Sequence, residues 1–125
     1  MTSKKSQPKH LSEKRNSNRQ DLQLLISYTH EEKTFSKFSF NLSPGGMFIA
    51  SITPLQPGSK ITLFFELPHN KLSFSIEAEV TWTNYHDTNV EPIGMGVKFL
   101  IGDQTVLESL QLAIHYYRSF LKKVS

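Results

Sequence analysis

"FSIEAEVTW", residues 74–82, sets the frame for the whole chain. Phe74, Ile76, Ala78, Val80 and Trp82 fall on one parity, and Ser75, Glu77, Glu79 and Thr81 on the other. A period of two is the period of a β-strand, because successive side chains leave the backbone on opposite faces. Apolar residues on one face and polar residues on the other predict an antiparallel sheet with one side buried and one side wet.

The same alternation spreads outward from this strand. Upstream, Ile61, Leu63 and Phe65 alternate between the proline-rich turn "TPLQPGSK" (residues 53–60) and the reversal "LPHNK" (67–71). Downstream, the polar loop "NYHDTNVEP" (84–92) leads into Met95, Val97, Phe99 and Ile101. Gly94 and Gly96 take the opposite parity there, where backbone can pass close by. Towards the N-terminus, Leu22, Leu24, Ile26 and Tyr28 share a predicted strand face, and "THEEK" (29–33) reverses the chain. Phe38, Phe40 and Leu42 are expected to share the next face, and "MFIAS" (47–51) forms a short third strand. Beyond residue 102 the period changes to 3.6. Leu107, Leu110, Ile114, Tyr117 and Leu121 make one helical stripe, with Asp103 as N-cap and Arg118, Lys122 and Lys123 at the negative end of the dipole. Six short antiparallel strands at roughly ten-residue spacing predict a mainly β fold, a small barrel or sandwich. The helix should cover an open end or edge of it.

Composition fits this picture. A chain of 125 residues, 38% hydrophobic and 20% charged, holds one domain with a real core. Most of its nine Phe are expected in that core. There is no Cys, which excludes a disulfide framework and thiolate metal sites. The net charge is +3, and much of the excess lies in the first nineteen residues. That is too short a basic stripe to predict DNA or RNA as a partner, but a small anion needs only a few well-placed cations. The first residues lack an apolar leader segment, and no run is long and apolar enough for a membrane span, so the expected location is cytoplasmic. The expected division is a flexible N-terminal arm over 1–12 and one domain over 13–125, with the barrel at about 20–102 and the helix at about 103–123.

Two segments carry candidate chemistry. "RNSNR" (15–19) places Arg15 and Arg19 four apart, directly before the first strand, and Lys14 precedes them. "NLSPGG" (41–46) closes the second strand with Asn41, Ser43, Gly45 and Gly46. With a first hairpin centred near His30 and Glu31, position 20 comes roughly opposite 41, bringing Arg19 to Asn41 at one barrel rim. Guanidinium forks suit phosphate oxygens and stack on bases. Asn41 can donate and accept on adjacent atoms, Ser43 adds a hydroxyl, and Gly46 lets backbone come close. Such a rim suits a phosphorylated nucleotide. Read alone, "NLSPGG" is more often a turn whose Asn41 and Ser43 cap local backbone.

Arg-x-x-x-Arg before a first strand, followed by Asn-x-Ser-x-x-Gly at the end of the second, resembles the signature of the PilZ family. The resemblance extends through residues 45–51, 55–68, 79–83 and 94–99. It implies a six-stranded antiparallel barrel and a bacterial receptor for cyclic di-GMP, with no further cofactor. It also implies that Arg15 and Arg19 contact phosphates and guanine faces, while Asn41, Ser43 and Gly46 contact guanine and the sugar-phosphate ring. Family members often carry a further Arg at the position of Lys14; lysine keeps the charge and loses the planar fork.

Other chemistries find little support. The five His are scattered without metal-ligand spacing, and Ser43 lacks a His partner or a nucleophile elbow, so neither a metal site nor a catalytic residue is expected. "HYYRSFLKK" (115–123) offers a surface for a downstream protein partner or for a second copy of the chain in a homodimer. The competing function is therefore a protein-interaction adaptor on the same fold, indifferent to nucleotide.

Overall fold

The computed structural model describes residues 23–68, 71–87 and 92–124. Six antiparallel strands run in chain order: β1 (Leu24–His30), β2 (Lys33–Ser43), β3 (Gly46–Ala50), β4 (Lys60–Leu67), β5 (Leu72–Asn84) and β6 (Gly94–Phe99). They close into a barrel in the order β1-β2-β3-β6-β5-β4, with β4 pairing back onto β1. One helix, α1 (Gln104–Val124), follows the last strand.

The barrel interior is the core that the alternation predicts. Leu24, Ile26, Tyr28, Ile61, Leu63, Phe65, Ile76, Ala78, Val80, Met95 and Val97 are all buried. Ser39 is the exception in chemistry, a fully buried hydroxyl that is satisfied by donating to the Leu24 carbonyl at 3.2 Å. The helical stripe also holds: Leu110, Ala113, Ile114 and Tyr117 join the strand residues in one cluster, with Leu121 packed against it. Asp103 caps the helix as expected, its Oδ1 accepting from the Thr105 N–H at 2.9 Å. Burial raises the hydroxyl pKa of both Tyr28 and Tyr117.

Helix α1 packs against β2 and β4. Because Leu24 heads β1 while Leu42 and Leu67 finish β2 and β4, this contact lies at the barrel end where "NLSPGG" also sits. The helix is a plug for that end, and its position bears on the site.

Three expectations need correction. The first hairpin turns on Glu31 and Glu32, both at positive φ (50° and 70°), with His30 paired to Lys33. Its centre is one residue later than the sequence suggested, because the two-residue turn has the left-handed backbone that matches strand twist. Phe38, Phe40 and Leu42 do not share a face. Register slips between Phe40 and Ser43, so Leu42 is buried while Phe38 stays 50% exposed on the outside. Likewise a bulge between Val80 and Trp82 ends the inward run of β5 and turns Trp82 out, 43% exposed. An extra residue in one strand reverses the parity of everything beyond it. Phe38 and Phe64 lie on the outer face, so the aromatic supply is shared between core and surface.

Candidate ligand-binding site

The corner between β2 and β3 is built by its own sequence. Asn41 has φ 58°, in the left-handed region that Asn tolerates better than most residues. That single reversal turns Leu42 into the core and leaves Asn41 exposed at the rim. Ser43 pairs with Gly46 across the two-residue turn Pro44–Gly45. Its Oγ accepts from the Gly45 N–H at 3.3 Å and lies 3.4 Å from the Gly46 carbonyl, to which it donates. The hydroxyl thus holds the turn from within, as the turn-capping alternative anticipates. The Gly45 carbonyl in turn accepts from the Phe99 N–H at 2.9 Å, fastening the corner to the end of β6.

The two glycines differ. A Cβ on Gly46 would run into the Val97 carbonyl of the neighbouring strand, so sheet packing alone demands glycine there. Gly45 has a free approach: the nearest atom to a Cβ is the Ser43 Oγ at 3.9 Å, and its φ is not positive. Neither packing nor conformation explains a glycine at 45. Open space above an exposed backbone is what a flat ligand would use.

Two cations border this corner that sequence reading did not place there. Lys98 is exposed on β6, directly opposite Gly46 on β3 on one side and Glu79 on β5 on the other. Arg118, reaching from α1, donates from Nη2 to the Leu42 carbonyl at 2.6 Å. The only signal for Lys98 is the β3–β6 register, and Arg118 has none in its local sequence, where it reads as a complement to the helix dipole. One turn of the helix also meets the start of β1, the Tyr117 hydroxyl lying 3.5 Å from the Gln23 carbonyl. Of the expected site positions, Asn41, Ser43, Gly45 and Gly46 therefore come together in one corner. Lys14, Arg15 and Arg19 lie outside the described residues, and with them the Arg19–Asn41 pairing.

The PilZ domain model matches residues 13–115, from the arginine segment through the barrel into α1. The chain belongs to the PilZ domain family. Solved structures carry the same likeness. The Bacillus subtilis inhibitor of motility MotI/DgrA is 22% identical with a TM-score of 0.59, over 78% of this chain and 48% of that one. The PilZ domain with c-di-GMP of YcgR from Escherichia coli is 18% identical with a TM-score of 0.58, over 81% of this chain and 87% of that one. The PilZ domain of CeSA from a cellulose-synthesizing bacterium is 11% identical with a TM-score of 0.55, over 77% and 94%. At these identities the likeness is one of fold, and this PilZ chain spans about half the length of the motility inhibitor. No curated protein matches it.

Within this PilZ domain the described residues hold no group of three or more His, Asp or Glu placed to bind a metal ion. No described helix is long and apolar enough to cross a membrane.

Proposed function

We propose that this PilZ domain is a receptor for cyclic di-GMP and works without catalysis, as a cytoplasmic signalling adaptor. The observation that carries the reading is the β2–β3 corner. Asn41 is exposed, Ser43 half-buried, Gly45 is open above its backbone, and two cations border them. The corner lies at the barrel end where β1 begins, and the arginine segment precedes β1 in the sequence. Arg15 and Arg19, with Lys14 beside them, supply the charge that a dianionic cyclic dinucleotide needs. Asn41, Ser43, Gly45 and Gly46 supply the contacts to base and sugar-phosphate ring. Ligand contacts would order the arm that carries Arg15 and Arg19 onto the rim, and that ordering creates a surface for a downstream protein. The cyclic di-GMP named with the YcgR domain supports the choice of ligand, and the motility inhibitor supports a regulatory role.

Each charge-assisted hydrogen bond is worth about 1.5–3 kcal/mol, so losing one arginine should weaken binding roughly ten- to a hundredfold. Isothermal titration of Arg15→Ala and Arg19→Ala with cyclic di-GMP, using GTP and the linear dinucleotide as controls, tests this. Unchanged affinity in both variants removes the site assignment.

A second reading, an adaptor that ignores nucleotide, draws on the outer face of α1, where Leu112 and Tyr116 are exposed. It predicts no heat in the same titration and loss of partner binding in Tyr116→Ala.

A further inference from the structure

Leu42 poses a local problem that the rest of the chain has to solve. It follows the left-handed Asn41 inside the β2–β3 irregularity, where the ladder between Phe40 and Ser43 is out of register. A bulge leaves backbone groups that the neighbouring strand does not pair. The side chain of Leu42 is buried, so its carbonyl is held at a fixed place beside the core. Arg118 supplies the donor, at 2.6 Å. A guanidinium on a carbonyl is a charge-assisted bond, stronger and more directional than a neutral one. It restrains the peptide between Leu42 and Ser43, and thereby the direction in which Asn41 and Ser43 leave the rim.

Arg118 can do this because its own platform is rigid. Ala113, Ile114 and Tyr117, on the preceding turn of α1, are buried in the barrel cluster. The same turn reaches the Gln23 carbonyl through the Tyr117 hydroxyl, at a longer 3.5 Å. One stretch of helix therefore touches both the corner and Gln23, the residue just ahead of β1.

We propose that Arg118 is a positioning residue for the nucleotide site, and that it makes α1 the element through which ligand occupancy is felt. The inference rests on the cyclic di-GMP reading above and adds the regulation of that site. Coupling is reciprocal in free energy: if the docked helix raises ligand affinity, bound ligand must favour the docked helix by the same factor.

The test uses the full chain and cyclic di-GMP itself. Arg118→Ala should weaken binding about 5- to 30-fold, within the range of ordinary coupling between sites. Arg118→Lys, which keeps a donor and the charge, should recover most of that loss. Lys122→Ala, one turn further on, removes the same charge without a bond to the corner and should change affinity less than about twofold. Losses in Arg118→Ala and Asn41→Ala should combine to less than their product, as coupled positions do. Saturating ligand should slow amide exchange over residues 113–121 in the wild-type chain and fail to do so in Arg118→Ala. Wild-type binding with unaltered exchange in α1, or an Arg118→Ala variant that binds as wild type, overturns the positioning role alone. An equal loss in Lys122→Ala overturns it too, since charge without contact would then suffice. If the wild-type chain gives no binding at all, the receptor reading itself falls. The corner's dependence on the helix can still be read then, from the amide shifts of residues 41–46 in Arg118→Ala. If the substituted proteins fold poorly, unaltered exchange in α1 of the ligand-saturated wild-type chain still overturns the proposal.

Discussion

The barrel contains two bulges, and they are put to opposite uses. On β2 the slip at Asn41 and Leu42 turns an apolar side chain in and a polar one out. It is held by polar contacts, Arg118 on the Leu42 carbonyl and Ser43 within the turn. On β5 the slip at Thr81 turns Trp82 out, onto β6. There the indole covers Gly96 and stacks with Phe48, centroids 5.5 Å apart, while the Phe48 ring covers Gly94. The Thr81 hydroxyl donates to the Gly96 carbonyl at 3.2 Å. The first bulge opens a hydrogen-bonding corner; the second seals glycines under aromatic rings. The same backbone device makes a site or a patch of armour according to what the neighbouring strand and helix bring to it.

The largest effect should come from Gly46→Ala. Its Cβ would meet strand backbone, which cannot swing aside, and the expected cost is about 3 kcal/mol or more in a chemical melt. Gly45→Ala is the counterpart. Its Cβ has room, so stability should stay within about 0.5 kcal/mol while cyclic di-GMP affinity falls. A destabilised Gly45→Ala would mean that the open approach has been misjudged.

Trp82→Ala should come next, at about 2 kcal/mol, through lost burial and the lost stack on Phe48. Its ligand affinity should not change, because the sealed bulge is not the site; a fall in affinity would merge the two regions.

Asn41 separates backbone from side chain. Asn41→Ala should cost about 1 kcal/mol for a left-handed backbone that alanine resists, whereas Asn41→Gly should fold as well as wild type. Both should bind ligand weakly, measured by titration, if the amide reads the nucleotide. Wild-type affinity in Asn41→Gly would leave Asn41 with a conformational role only.

The smallest effect concerns pH. Burial raises the Tyr28 and Tyr117 hydroxyls above the usual range, so the unfolded chain loses these protons first. Their contribution is intact below about pH 10 and is lost as pH rises through the raised values. Tyr117→Phe should flatten part of that alkaline decline in melts followed by circular dichroism.

How much of this was legible follows from where each signal lives. The inward run from Ile76 to Val80 and the helical stripe from Leu110 to Tyr117 are local periodicities, and the sequence displays them directly. Phe38, Phe40 and Leu42 conceal the slip, because apolar residues stand on both sides of it and the alternation runs on across it. Only Asn41, a residue at ease with positive φ, marked the break. Trp82 conceals the β5 slip in the same way. In the corner, Asn41, Ser43, Gly45 and Gly46 were visible as a motif because they are contiguous. Lys98 and Arg118 were not, since one arrives by strand register and the other by helix docking.

Closure of the barrel has a consequence for recognition. With β4 hydrogen-bonded to β1, every strand has a neighbour on both sides, and the ladder stays open only on partial stretches such as residues 33–38 of β2, beyond its pairing with β3. A partner can add a strand only along such a short stretch, and elsewhere its specificity has to come from side chains. The outer face offers Leu25, Phe38 and Phe64 among serines and threonines, an address that a few point substitutions could rewrite without touching the ladder.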